Sequence, residues 1–172
     1  YNEGKIAMET IASVYNRDSY IIRPFNVYGT NYRKDDTRLM PMLKRAILNN
    51  DPMPFFAQEG VLGTSLNSER NFCHILDFML GTLGYAFFSS DPNSPVNVGS
   101  SEDSIKVYSL IEKAEKMFNT KVNLKRVEEH YGQSVLYRKP NIDKIKACIN
   151  WKPMISLDSG LKSFIEGKQK HE

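Results

Sequence analysis

The sequence predicts a mixed α/β fold, because apolar residues recur at helical spacing in some segments and cluster in short strand-like runs in others. The first segment is a predicted helix, since its apolar residues fall on one face (Ala7, Met8, Ile11, Val14 and Tyr15). After a polar break at 16–19, residues 20–22 form a predicted buried strand. A longer amphipathic helix is predicted at 105–118, so one chain is expected to contain both kinds of element.

The other elements follow from the same two patterns and from the residues that interrupt them. Residues 30–36 are polar and aperiodic, which predicts a loop, and Asp36 or Thr37 can cap the helix that follows. An Asn- and Pro-containing stretch at 49–52 ends that helix. Further along the chain, the predicted helices are 78–88, 142–149 and 157–165, the predicted strands 54–56, 95–99 and 122–127, and the main loops 57–69 and 128–136.

The composition is that of an ordinary globular protein, with 41% hydrophobic and 25% charged residues among 172. The net charge is +3, and lysines and arginines are dispersed among acids, so nucleic acid is not an expected partner. No apolar run approaches the ~20 residues that span a membrane, so no membrane partner is expected and the protein is predicted to be cytoplasmic. Cys73 and Cys148 lack metal-ligand spacing, which predicts free thiols and no metal site.

The first five residues carry the clearest chemistry in the sequence. Tyr1 and Lys5 are four apart in the predicted helix, so the phenol and the ammonium lie one above the other on one face. A positive charge beside a phenol favours the phenolate and lowers its pKa from about 10. The pair is therefore a candidate base for removing a proton from a sugar hydroxyl.

Two motifs in register resemble a known family. The Tyr1-x-x-x-Lys5 helix is followed by a strand that runs into RPFNVYG at 23–29. This combination resembles the extended short-chain dehydrogenase/reductase family, the NAD-dependent epimerases and dehydratases of nucleotide sugars. The resemblance continues in RLMPMLKRAI, ERNFCHILD, NVGSSEDSIKVYSLIEKA and the stretch 138–166.

The resemblance implies a division of the chain. Residues 1–29 would be the C-terminal remnant of a doubly wound NAD-binding domain of the Rossmann type. Residues 30–172 would form a small mixed α/β nucleotide-sugar-binding domain, and this stretch can also include elements that belong to the NAD-binding domain. The sequence opens inside a helical pattern, with no glycine-rich phosphate loop before it. We therefore expect a piece of a longer enzyme that is inactive by itself.

The resemblance also implies roles for individual residues. Tyr1 would be the catalytic acid/base for the sugar 4-hydroxyl, and Lys5 would bind the nicotinamide ribose. Pro24 and Phe25 would lie beside the nicotinamide. The residues expected around the nucleotide sugar are Asn26, Arg38, Leu39, Arg70, Arg138 and Asn141. The implied cofactor is NAD, with NADP left open, and the implied partners are a nucleotide-diphosphate sugar and, for the full-length protein, a second copy in a homodimer.

Two departures from the family pattern leave alternatives open. The loop at 57–69 is long and lacks the usual aspartate, and Asn141 replaces an acid expected to hold the ribose. A dehydratase or epimerase that acts through a transient 4-keto sugar is the first hypothesis, and a decarboxylase of UDP-glucuronate is close to it. The alternative of another class is a non-catalytic module that binds a nucleotide sugar or NAD(H).

Three further residues are predicted to be structural. His74 lies in an apolar strand, where a lone histidine is more often packed and hydrogen-bonded than catalytic. Asp77 suits the N-cap of the helix 78–88, whose nearly continuous apolar character predicts burial between two layers. Trp151 is expected to pack between the last two helices.

Overall fold

The computed structural model describes residues 2–15, 19–57, 64–91, 94–101, 104–128 and 137–168. The helices are α1 Asn2–Tyr15, α2 Leu39–Asn49, α3 Thr64–Asn67, α4 Ile75–Phe88, α5 Val107–Phe118, α6 Asp143–Ile149 and α7 Leu157–Glu166. The strands are β1 Ile22–Pro24, β2 Val27–Tyr28, β3 Met53–Ala57, β4 Glu69–Arg70, β5 Cys73–His74, β6 Val96–Val98, β7 Ile105–Lys106, β8 Leu124–Glu128 and β9 Tyr137–Arg138. The predicted mixed α/β class is confirmed.

Two compact units make up the chain. Unit 1 takes in the described residues of Tyr1–Val27, Phe72–Ser101 and Pro140–Ile155. Unit 2 takes in those of Tyr28–Asn71, Glu102–Lys139 and Ser156–Glu172. The assignment of 1–29 and 30–172 to an NAD-binding and a nucleotide-sugar-binding domain stays a prediction.

Unit 1 is built on a parallel pair of strands, β1 and β6, with Ile22 opposite Val96 and Pro24 opposite Val98. Parallel strands require a crossover connection, and α4 lies in the chain between them. Its core is a cluster of five buried residues from α4, β6 and the start of α6 (Tyr85, Val96, Val98, Ile142 and Ile145). The ring of Tyr20 meets that of Tyr85 edge-on, with centroids 5.5 Å apart.

The close approach of Trp151 to α4 depends on a glycine. A Cβ on Gly81 would lie 2.8 Å from Trp151 Cε2 and 3.0 Å from Val98 Cγ1, distances that real Cβ atoms rarely show. Trp151 is half-buried against the core cluster of unit 1. The prediction that Trp151 packs is confirmed, with α4 among its contacts, whereas its placement between the last two helices stays a prediction.

The predicted N-cap of α4 was wrong by three residues. The helix begins at Ile75, and its N-cap is His74, whose Nδ1 accepts a hydrogen bond from Leu76 N–H. Asp77 lies in the first turn and is buried. Its carboxylate accepts hydrogen bonds from Met154 N–H at 3.0 Å and Ile155 N–H at 2.9 Å. A buried carboxylate that binds two backbone donors holds the loop after Trp151 against α4, which is a structural role.

The predicted burial of the helix on all sides was also wrong. Gly81 and Tyr85 are buried, whereas six large apolar side chains of α4 are exposed in the part of the chain that the structure describes (Leu76, Met79, Leu80, Leu83, Phe87 and Phe88). In unit 1, α4 packs on β6 and α6 with one face. Mean hydropathy reports how apolar a helix is and not how many layers cover it.

Within the described residues, unit 2 contains two small sheets and four helices (α2, α3, α5 and α7). Strands β3 and β8 pair in parallel, and β4 lies between β7, which is antiparallel to it, and β9, which is parallel. Helix α2 packs on α5 and α7. Several apolar residues of these helices are fully buried (Leu43, Leu110, Ala114 and Leu161).

A buried lysine joins two of these helices. Lys44 of α2 is 4% exposed. Its Nζ donates hydrogen bonds to Phe164 O at 2.7 Å and Gly167 O at 2.6 Å, at the C-terminal end of α7. An ammonium is favourable there because the last carbonyls of a helix lack helical partners and carry partial negative charge.

Candidate functional site

The first predicted helix is confirmed as α1. It spans Asn2–Tyr15, so residues four apart in it are one turn apart on one face. Lys5 is exposed on this helix. Tyr1, the predicted acid/base, lies outside the described residues, and its role stays a prediction.

An ion pair connects α1 to the strand that follows it. Arg23 of β1 donates from Nε to Glu9 Oε1 at 2.8 Å and from Nη2 to Glu9 Oε2 at 2.5 Å. The Arg23 guanidinium, mainly through these hydrogen bonds, holds the pKa of Glu9 below its ordinary value, and Glu9 in turn raises the pKa of Arg23. The sequence prediction missed Glu9, although it lies one turn beyond Lys5 on the same face of α1.

The end of β1 carries the residues predicted to lie beside the nicotinamide. Pro24 is the last residue of the strand and is exposed. Phe25 is half-buried, and its N–H donates to Val98 O at 3.1 Å. A Cβ on Gly99 would lie 2.7 Å from Pro140 Cγ and 3.1 Å from Phe25 Cβ. A side chain at position 99 would thus collide with both neighbours, and the sequence prediction did not single out this glycine.

Asn26 turns the backbone away from β1. Its φ is 40°, in the left-handed region that asparagine tolerates better than most residues. Its carbonyl accepts a hydrogen bond from Cys73 N–H at 3.2 Å. Asn26 is half-buried in unit 1, next to Phe25. The structure therefore assigns it a backbone role, and its predicted contact with the nucleotide sugar stays a prediction.

Asn141 lies before α6 in the same unit. Its side-chain Oδ1 accepts a hydrogen bond from Asp143 N–H at 2.8 Å, and its carbonyl accepts one from Asn97 Nδ2 at 2.9 Å. The Asn141 side-chain oxygen is thus engaged at the start of α6, and the contact of Asn141 with the nucleotide sugar stays a prediction. Asparagine is favoured in this position because its short side chain reaches the backbone two residues on.

Arg38 and Leu39 mark the start of α2 in unit 2. Leu39 is the first residue of the helix and Arg38 its N-cap, without a side-chain cap hydrogen bond. The Arg38 guanidinium is exposed and pairs with the Asp36 carboxylate, with Nη2 2.5 Å from Oδ2. That hydrogen bonding lowers the pKa of Asp36 and raises the pKa of Arg38. The prediction that Asp36 or Thr37 caps this helix was wrong, because the N-cap is Arg38. Asp36 instead accepts a hydrogen bond from Arg38 N–H at 2.9 Å, just before the helix begins.

The two other predicted diphosphate arginines are brought together. Arg70 in β4 and Arg138 in β9 are directly paired in parallel register, so their Cα atoms are neighbours on adjacent strands. Arg70 is half-buried, and its Nη1 donates to Glu69 O at 2.9 Å. Nearly seventy residues of sequence separate the two positions, and the pairing of β4 with β9 closes that gap.

His74 and Cys73 are structural in the described part of unit 1. Burial lowers the pKa of the His74 imidazole, and the Asp77 charge opposes that shift. Burial, with the Asp77 charge, raises the pKa of the Cys73 thiol to about 12, so the thiol stays protonated. The prediction of a hydrogen-bonded His74 is confirmed by its cap contact with Leu76.

Among residues 2–15, 19–57, 64–91, 94–101, 104–128 and 137–168, no group of three His, Cys, Asp or Glu side chains is placed to hold a metal ion. Within the same ranges, no helix has the length and apolar character needed to cross a membrane.

Curated relatives of the chain act on nucleotide sugars. UDP-glucuronic acid decarboxylase 5 of Arabidopsis thaliana is 28% identical over 165 residues, which cover 94% of this chain and 45% of the relative. UDP-glucuronate 4-epimerase of Thermodesulfobacterium geofontis is 28% identical over 162 residues, or 91% of this chain and 45% of the relative. The chain therefore spans about half the length of the curated relatives it matches.

A solved structure has the same fold. UDP-glucuronic acid 4-epimerase from Bacillus cereus, in complex with UDP-glucuronic acid and NAD, superposes with a TM-score of 0.80 at 21% identity, over 94% of this chain and 50% of that one. The profile of the NAD dependent epimerase/dehydratase family matches residues 1–99, more than half of the 172. The predicted resemblance and fold class are confirmed, and the chain belongs to the NAD-dependent epimerase/dehydratase family.

Proposed function

We propose that this chain supplies the acid/base helix and the nucleotide-sugar-binding residues of an NAD-dependent nucleotide-sugar 4,6-dehydratase or epimerase, which acts through a transient 4-keto sugar. The observation that carries the proposal is the order of the elements, since α1 is followed by β1, which ends at Pro24 directly before Phe25 and Asn26. Tyr1 removes the proton of the sugar 4-hydroxyl, and Lys5 binds the nicotinamide ribose and favours the phenolate.

The residues at the end of β1 fit an NAD cofactor. Strands β1 and β6 run parallel, so their carboxyl ends lie at one edge, where open α/β sheets bind ligands. Gly99 follows β6, and the absence of a side chain there leaves the backbone close to Phe25 and Pro140. When bound, NAD accepts a hydride from the sugar. The chain's own part is to hold the ring beside Pro24 and Phe25 and to exclude water from it.

The substrate in this proposal is a nucleotide-diphosphate sugar held by residues of unit 2. Arg70 and Arg138 are paired on adjacent strands, and a guanidinium presents a rigid fork of donors that matches phosphate oxygens. Arg38 at the start of α2 adds a third cation, provided that its guanidinium leaves Asp36 or binds the Asp36 carboxylate and a phosphate together. The names of the relatives support UDP-glucuronate as the first substrate to test.

A decarboxylase is the second candidate, and the first of the relatives described above is a UDP-glucuronic acid decarboxylase. A 4-keto group makes loss of a neighbouring carboxylate favourable, so both reactions can begin with the same oxidation. The non-catalytic alternative is supported by Asn141, whose side-chain oxygen serves α6. Product analysis separates all three.

The experiment incubates the full-length protein with NAD and a panel of UDP- and dTDP-sugars and identifies the products by mass spectrometry and NMR. A 4-keto-6-deoxy sugar or a 4-epimer supports the first proposal. A pentose formed with carbon dioxide supports the decarboxylase. Binding of NAD or sugar nucleotide without any product across the panel contradicts both enzyme proposals and favours the binding module.

We also expect a cytoplasmic homodimer that forms through α1. Ile6, Ile11 and Val14 are each more than half exposed, which is a large apolar area for one helix. A second copy would cover this face, and the free Cys73 and Cys148 suit a reducing compartment. Sedimentation of the full-length protein and of Ile11→Glu tests the dimer. A dimeric parent and a monomeric variant are expected, whereas a monomeric parent contradicts the assignment of a second copy.

A further inference from the structure

The segment 140–142 of unit 1 carries Asn141, one of the residues proposed to bind the nucleotide sugar. The residues on either side of Asn141 are fixed by packing. Pro140 is buried, and its Cγ would lie 2.7 Å from a Cβ on Gly99, the residue that follows β6. Ile142 is 3% exposed and belongs to the core cluster of unit 1. The backbone therefore enters and leaves Asn141 at fixed points.

Asn97 holds the residue between these two points. It is the middle residue of β6, in which Val96 and Val98 are buried and successive side chains point to opposite faces. The Asn97 side chain thus points away from the core cluster, and its Nδ2 donates a hydrogen bond to Asn141 O at 2.9 Å. This contact joins positions 44 residues apart in the sequence and ties the Asn141 backbone to the strand.

The Asn141 side chain is oriented by a second hydrogen bond. Its Oδ1 accepts from Asp143 N–H at 2.8 Å. A side-chain amide has one acceptor oxygen and an NH₂ group with two donors. With the oxygen engaged in this way, a ligand of Asn141 meets the amide through Nδ2. Such a ligand must offer an acceptor, and a ribose oxygen or a phosphate oxygen of a nucleotide sugar is one.

We propose that Asn97 is a positioning residue, which holds the Asn141 backbone and so directs the Asn141 Nδ2 toward an acceptor oxygen of the nucleotide sugar. This inference rests on the proposed function, because that function assigns the nucleotide-sugar contact to Asn141. It adds Asn97 to the site and makes Asn141 a donor, where an acidic residue would be an acceptor. A side chain that is oriented before binding loses less conformational freedom when the ligand arrives, and this favours affinity.

The test measures dissociation constants of the full-length protein by isothermal titration calorimetry. The probes are NAD and the UDP- or dTDP-sugar of the panel that the parent binds most tightly. Asn97→Ala removes the donor to Asn141 O and should weaken nucleotide-sugar binding about three- to tenfold, with the Kd for NAD unchanged. The matched control Asn123→Ala removes an exposed asparagine side chain of unit 2 and should change neither Kd.

A double-variant cycle shows whether Asn97 acts through Asn141. Asn141→Asp keeps an oxygen that can accept from Asp143 N–H but has no donor, so nucleotide-sugar binding should weaken at least about threefold. Adding Asn97→Ala to this variant should cause no further loss, because the group that Asn97 positions is already absent.

Three results would overturn the proposal while the proposed function stands. These are an unchanged nucleotide-sugar Kd in Asn97→Ala, an equal loss of NAD binding in that variant, and a full additional loss when Asn97→Ala is combined with Asn141→Asp. The last two would mean that Asn97 supports unit 1 in general. A parent protein that binds no nucleotide sugar of the panel defeats the proposed function, and this inference with it.

Hydrogen exchange in the ligand-free protein gives a readout that does not depend on binding. The Asp143 N–H is protected in the parent by its bond to Asn141 Oδ1. Asn97→Ala should loosen the Asn141 backbone and raise the exchange rate of this amide at least about threefold, measured by NMR against Asn123→Ala. An equal rate in the two variants would mean that Asn97 does not hold Asn141, and the proposal would fail.

Discussion

Helices α1 and α2 have similar amphipathic patterns in the sequence and different environments in their own units. In α2 the apolar stripe is covered, with Leu43 0% and Ala46 1% exposed. In α1 the corresponding stripe is open, with Ile11 56% and Val14 68% exposed. Periodicity identified both helices, but burial depends on what packs against them. The covered helix stabilises its unit, and the open one carries the residues and the surface that we assign to function.

The largest expected effect comes from truncating the covered helix. Leu43→Ala should lower the free energy of unfolding by about 2–5 kcal/mol, because a fully buried leucine leaves a cavity. Ile11→Ala in α1 is the matched control and should change it by less than about 1 kcal/mol in monomeric protein. Urea unfolding followed by circular dichroism measures both. Equal losses would mean that α1 is covered in the same way as α2.

Two glycine substitutions compare a packed helix position with an exposed one. Gly81→Ala in α4 should destabilise unit 1 by about 1–3 kcal/mol, because the new methyl group meets Trp151 at 2.8 Å. Gly4→Ala in α1 meets nothing within 4 Å and should stabilise the helix by up to about 1 kcal/mol, since alanine is the better helix former. Thermal unfolding curves of the two variants should shift in opposite directions. Shifts of the same sign would contradict the described packing.

A pH effect is expected at the start of α4. The neutral His74 imidazole accepts from Leu76 N–H, and burial lowers its pKa. A depressed histidine pKa stabilises the fold fully above about pH 6.5, the ordinary value. That contribution is lost as pH falls through the lower pKa of the folded state.

The variant His74→Asn tests whether folding stability falls with pH because of His74. Asparagine also caps helices but does not titrate in this range. The parent should lose up to about 1 kcal/mol more stability than the variant between pH 7.5 and pH 5. Denaturant unfolding at the two pH values gives the free energy of unfolding of the parent and of the variant. An identical pH dependence in parent and variant would show that protonation of His74 does not destabilise the fold.

The smallest effect is expected at an exposed ion pair of unit 2. Lys113 Nζ lies 2.5 Å from Asp158 Oδ1, and both side chains are substantially exposed. Water and salt screen such pairs, so Asp158→Asn should change the free energy of unfolding by less than about 1 kcal/mol. The same measurement on Asp77→Asn, whose carboxylate binds two backbone N–H groups, should give a clearly larger loss. The reverse order would contradict the role assigned to Asp77.

Local patterns predicted most of the elements because helices and strands depend on neighbouring residues. The 3.6-residue period located α1, α2, α5 and α7, and the Tyr1-x-x-x-Lys5 and RPFNVYG motifs identified the family. The sequence did not predict which faces are covered. The burial of Asp77, for example, depends on a segment more than seventy residues away along the chain.

The sequence predicted individual residues of the candidate site but not which of them are neighbours or hydrogen-bond partners. Arg70 and Arg138 were named separately, and only the pairing of β4 with β9 makes them neighbours. The Arg23 and Glu9 pair was missed, although the spacing of Glu9 from Lys5 is visible in the sequence. The contact of Asn141 with the nucleotide sugar stays a prediction, and the sequence analysis did not foresee that its side-chain oxygen accepts a hydrogen bond at the start of α6. Strand pairings and ion pairs between residues distant in sequence leave no periodic signal, whereas the contact of Asn141 with Asp143 is local.

The most direct test of the proposed acid/base role of Tyr1 compares Tyr1→Phe with Tyr15→Phe in the full-length protein. Both changes remove one phenolic hydroxyl, and Tyr15, the last residue of α1, is 85% exposed. Turnover of the sugar nucleotide identified by the panel should fall at least about 100-fold in Tyr1→Phe, with binding retained, and stay at the parental rate in Tyr15→Phe. Equal turnover in the two variants would contradict the acid/base role of Tyr1 and the function proposed for this chain.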